Sequence, residues 1–105
     1  VALPAGPACL AGHTQARLEE AGVSCELKFL IDAHELKRIV LIQHEDCAFY
    51  KAHLNASPKS LEQLQKADLV RAAYTIRHAV GDLEIIGYFA RRAETGVIFE
   101  PVTID

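Results

Sequence analysis

The stretch "RIVLIQHEDC", residues 38–47, decides the fold. Ile39, Val40, Leu41 and Ile42 run without a polar interruption. A continuous aliphatic run, unlike an alternating one, predicts a strand buried on both faces, as in a parallel sheet covered by helices. The strand predicted over Arg38–His44 then gives way to Glu45, Asp46 and Cys47. In open α/β sheets, ligands sit outside the carboxyl ends of the strands, so an imidazole and a thiol at such an end call for a chemical reading.

Working outward, Val1–Leu3 reads as the tail of a buried strand, broken by Pro4-Ala5-Gly6-Pro7. Residues 9 to about 21 read as a helix that stops at Gly22. Ser24 fits the N-cap of a second helix running to about Lys37. Leu27, Leu30, Ile31 and His34 follow helical spacing, and Phe29, Ala33 and Leu36 fill a second apolar face, which predicts a well-buried helix. Downstream, Ser57 as N-cap and Pro58 at the first position open the longest helix, to about Val80. Its apolar side is Leu61, Leu64, Leu69, Ala72, Ala73, Ile76 and Val80, and Gly81 ends it. Leu83–Ala90 and Val97 to about Ile104 form a closing hairpin across Glu94-Thr95-Gly96, and Pro101 suits an edge strand. The expected architecture is a single α/β domain spanning residues 1–105. It has a mostly parallel central sheet with flanking helices, in the order β-α-α-β-α-β-β, and a hairpin at the edge.

Composition excludes several function classes. The chain has 105 residues, 50% of them hydrophobic and 24% charged, as in an ordinary globular domain. Its net charge of −3 and interspersed basic residues supply no field for nucleic acid. No apolar run is long enough for a membrane span, and no signal peptide is visible. The sequence contains no methionine and begins Val-Ala-Leu-Pro, so the expectation is that Val1 is not the natural start and that an N-terminal strand is missing. Three scattered cysteines argue against a disulfide framework and for a reducing compartment, the cytoplasm.

A neutral imidazole and a thiolate are first-choice zinc ligands, and three residues of spacing let a turn aim His44 and Cys47 at one point. Zinc would hold Cys47 as thiolate. A catalytic zinc takes about three protein ligands and keeps an open position. The candidates for the third are Cys9, Cys25, His13, His34, Asp46 or a residue upstream of Val1. Cys9 follows a turn after a strand end and is the best internal one. Cys25 and His34 read as packing residues. A metal-free reactive Cys47 beside His44 is a further reading, weakened by the lack of a resolving cysteine nearby in sequence.

"RIVLIQHEDCAFYK" resembles the second metal motif of the β-class carbonic anhydrases and their relatives, where a hydrophobic strand ends in His-x-x-Cys. "DLEIIGYFARRAETGVIFEP" is similar to that family's closing strand pair, and "VALPAGPA" to its second strand and Gly-containing loop, here with Gly6. The resemblance implies zinc held by His44 and Cys47, with Asp46 as the acidic residue before the cysteine. It implies a small-molecule substrate such as CO2 or bicarbonate and a homodimer or higher homo-oligomer. Phe49 and Tyr50 would narrow the pocket mouth.

The family's first motif, Cys-x-Asp-x-Arg, does not occur in these residues, and Ala48 stands where the family usually has Gly. Two readings follow. One is a zinc lyase whose metal-bound hydroxide attacks CO2 or a related electrophile. The other is a non-catalytic member of the same fold, acting as a structural or interaction module.

Overall fold

A computed structural model describes residues 7, 10, 11, 17–81 and 83–104. The proposed strand at Val1–Leu3, the Gly6 loop, Cys9 and His13 lie outside the described residues. The described elements are α1 (Arg17–His34), β1 (Arg38–His44), α2 (Ala48–His53), α3 (Pro58–Val80), β2 (Glu84–Ala93) and β3 (Gly96–Val102).

α1 passes straight through Gly22 and Ser24, where the sequence reading placed a break between two helices. A single glycine inside a helix costs only about 1 kcal/mol relative to alanine, less than packing returns. The helix ends at His34 rather than near Lys37. Glu35 adopts a left-handed conformation (φ 53°), and the Leu36 amide reaches back to the Ile31 carbonyl at 3.3 Å, closing a Schellman-type cap. Only one stripe is covered. Ile31 is buried and Leu27 packs on the core, whereas Phe29 is 68% exposed and Cys25, Ala33 and His34 face solvent. The expected second buried face is therefore absent among the described residues.

α3 begins and ends where its local signals place it. The Ser57 hydroxyl accepts from the Ser60 amide at 3.2 Å, Pro58 occupies the first turn, and Gly81 follows at φ 89°. Its buried stripe is Leu61, Gln65, Asp68, Leu69, Ala72, Ala73 and Ile76. The alanines let the helix settle against Leu41 of β1 and Ile85 of β2, which share the main core with Leu10 and Ile104.

The mostly parallel sheet in the order β-α-α-β-α-β-β is overturned. Three strands lie in the order β1-β2-β3, with β1–β2 parallel and β2–β3 antiparallel. Among the described residues the element order is α-β-α-α-β-β. The cause is connection length. The α2–α3 crossover is long enough to return the chain parallel to β1, while the two-residue connection Glu94-Thr95 can only reverse it. The hairpin pairs Tyr88 with Pro101 and Ala93 with Gly96, leaving Pro101 on an edge strand.

β1 also departs from the two-sided burial expected of it. Leu41 and Gln43 are buried beneath α3, but Val40 and Ile42 are 47% and 44% exposed on the opposite face. Register places them beside Ile86 and Tyr88, and the exposed Phe99 packs edge-on against Tyr88 at 6.3 Å. Among the described residues this face of the sheet stays open and apolar. No helix among them is long and apolar enough to cross a membrane.

Candidate functional site

The period-two alternation of β1 fixes what its tip presents. Leu41 and Gln43 point under α3, so His44 emerges on the open face. It is exposed, and its Nδ1 lies 2.8 Å from the Glu45 carbonyl oxygen. The chain then turns. The Glu45 amide bonds the Ala90 carbonyl at 3.1 Å, the Glu45 carboxylate accepts from the Arg92 amide, and Asp46 takes a left-handed conformation (φ 57°). That reversal carries Cys47 back to the α3 side, where it is 5% exposed and packed with Tyr50 and Leu61.

A cavity of about 670 Å³ opens there, at the carboxyl ends of the parallel strands β1 and β2. Glu45, Asp46 and Cys47 follow β1, Phe89 and Arg91 come from β2, and Leu61, Glu62 and Gln65 come from α3. Tyr50 also contributes to the wall, while Phe49 is not among the lining residues and instead meets Tyr50 edge-on at 5.6 Å. His44 does not line it either. The turn thus sends the imidazole and the thiol to opposite sides of the sheet rather than to one point. Among the described residues no group of three His, Cys, Asp or Glu side chains is arranged to hold a metal ion.

Charges around the cavity are mostly paired. Lys51 holds Asp46 at 3.0 Å, and the hydrogen bond and charge of Lys51 keep that carboxyl below the usual range. Arg91 donates to Glu62 at 2.7 Å and Glu100 at 2.9 Å while lying over the Phe89 ring. The Arg91 hydrogen bond drops Glu62 to about 2.

Behind the lining runs a buried polar network that the sequence reading did not single out. The Gln43 amide nitrogen donates to the Tyr50 hydroxyl at 2.8 Å, and the Tyr50 hydroxyl donates to Asp68 at 2.5 Å. Arg71 donates to the other Asp68 oxygen at 3.3 Å. Gln65 donates to the His44 carbonyl oxygen at 2.8 Å, tying α3 to the strand tip. Burial first, then the adjoining Asp68, pushes the Tyr50 phenol well above its ordinary range.

The sign of the resulting pH effect follows. A phenol whose folded-state pKa is raised contributes its full stability below the unfolded value of 10.0 and loses it as pH rises beyond. The wild type is expected to lose urea stability steadily above that pH, by up to about 1.4 kcal/mol per pH unit from this group. Tyr50→Phe should cost about 1 kcal/mol at neutral pH and flatten the alkaline limb. Parallel alkaline limbs in the two proteins would remove Tyr50 as the cause.

Comparison with protein families, with curated proteins and with solved structures finds no match to this chain.

Proposed function

We propose that the chain is a small-molecule-binding α/β domain that works through the cavity beside Cys47. One observation carries this reading: the cavity lies at the carboxyl ends of a parallel strand pair, where open α/β sheets place their ligands. Its volume is in the range of small-ligand pockets, and it joins the apolar Leu54, Pro58 and Leu61 to polar groups such as Lys59 and Gln65. Screening a small-molecule fragment set by amide NMR should move resonances of Cys47, Lys51, Gln65 and Phe89 together. Ala56→Trp, at the cavity wall, should abolish those shifts. A fragment set that leaves all four resonances in place would overturn the reading.

The zinc chemistry implied by the carbonic anhydrase resemblance has Cys47 as its best-supported donor, because Cys47 lines the cavity. His44 would join it only if the imidazole turned toward the cavity, and Cys9 lies outside the described residues. Protein purified without chelator should then carry about one zinc per chain, lost in Cys47→Ser. Zinc retained unchanged in that variant would remove Cys47 as a ligand.

The open apolar face of Val40, Ile42 and Phe99 favours a second reading, an interaction module that pairs with another copy. The three strands, seven, ten and seven residues long, present about 300 Å² there, the scale of patches that mark interaction sites on monomers.

A further inference from the structure

Gln65 is 3% exposed and lines the cavity. Its amide nitrogen is committed to the His44 carbonyl oxygen at 2.8 Å and the Gln43 side-chain oxygen at 3.5 Å. Its own side-chain oxygen accepts no hydrogen bond among the described residues. Every fully buried side-chain nitrogen or oxygen among them has a partner. The Gln65 oxygen therefore is not sealed in the core, and the side chain that carries it lines the cavity. Because the nitrogen is fixed by the strand tip, the amide cannot flip to offer a donor instead.

Lys59 supplies the complementary group. Of the lining cations, Lys51 is taken by Asp46 and Arg91 by Glu62 and Glu100, while Lys59 has no ion-pair partner among the described residues. Lys59 sits in the first turn of α3, six residues before Gln65, so their Cα atoms are about 9 Å apart along the axis. Six residues turn the helix about 600°, so the two side chains leave it about 120° apart, with room for a short carbon chain between their ends. Leu61, which lies between them on the helix, lines the same cavity and suits an aliphatic body.

We propose that the cavity takes short aliphatic carboxylates bearing a hydroxyl, with the carboxylate on Lys59, the hydroxyl donating to Gln65, and the carbon chain along Leu61. This rests on the cavity's being a small-molecule site and names the class it selects. A buried acceptor left unpaired penalises an analogue that lacks the donor, which is how such sites discriminate.

The experiment titrates the labelled protein with 3-hydroxybutyrate, with butyrate and with 1,3-butanediol, following amide and side-chain NMR signals. 3-Hydroxybutyrate should shift the Gln65 side-chain signal and bind at least tenfold more tightly than either of the others. Lys59 is exposed, so Lys59→Met should keep a wild-type spectrum and lose at least tenfold in affinity for 3-hydroxybutyrate. Equal binding of butyrate, or unchanged affinity in Lys59→Met, would overturn the assignment. If all three probes fail while other fragments still move the cavity resonances, the ligand class is wrong and the cavity reading stands. If nothing moves them, both fall.

Discussion

Asp68→Ala is expected to destabilise the protein by about 3 kcal/mol, lowering the melting temperature by roughly 15 °C for a domain of this size. The carboxylate is fully buried in the middle of α3 and accepts a short hydrogen bond from Tyr50, itself fully buried. Removing it strands the Tyr50 hydroxyl as a buried donor, weakens the seat of Gln43 and leaves a void under the helix. Burying a carboxylate is costly in its own right, and its removal returns part of that cost. The net loss is still large, because the partners remain behind with unmet hydrogen bonds. A double variant distinguishes these contributions. Tyr50→Phe with Asp68→Leu removes donor and acceptor together, so it should recover at least half of what Asp68→Ala loses. Urea denaturation of the wild type, Tyr50→Phe, Asp68→Leu and the double variant measures the coupling. An additive cycle would mean that the tyrosine and the aspartate do not stabilise one another.

That network also marks the limit of what could be read from residue types. Gln43, Gln65 and Asp68 are polar and were assigned to no core. Yet Gln65 and Asp68 stand in helical phase with Leu61, Ala72 and Ile76, and that phase was the available signal. What no local pattern carries is their convergence, since Gln43, Tyr50 and Asp68 belong to three different elements. The local signals did better. Ser57, Pro58 and Gly81 bound α3 because caps act within one turn of the chain, and the strand tip did lead to a cavity. The two failures share a cause. The aliphatic run of β1 was read as buried on both sides, and Phe29 and Leu36 as a second packed face. Hydrophobicity alone does not say how many layers will cover an element. Here α3 covers one side of the sheet, so Val40, Ile42 and Phe29 stay exposed. The same alternation sets the direction of His44, because Gln43 turned inward sends its neighbour outward.

Phe89→Ala should be nearly as damaging, at about 3 kcal/mol, toward the lower end of the usual range for deleting a core phenylalanine. The ring is fully buried at the centre of β2, paired to Gln43 of β1 on one side and Glu100 of β3 on the other. A strand held on both edges cannot shift inward to close the void, which argues for a large effect. Two cations also lose their aromatic face, Lys66 at 5.4 Å and Arg91 at 5.0 Å, adding a few tenths of a kcal/mol at such solvent-accessible sites. Against this, Phe89 lies at the wall of the Cys47 cavity, so the space its ring leaves opens toward that cavity. A wet void costs less than a dry one, because its polar lining is solvated. That places the expected loss near 3 rather than 5 kcal/mol. Phe89→Leu, which keeps most of the apolar volume, should cost about 1 kcal/mol. Urea denaturation at constant m-value measures both. A Phe89→Ala loss below about 1 kcal/mol would mean that the cavity wall tolerates collapse, and that β2 is not held as rigidly as its two ladders imply.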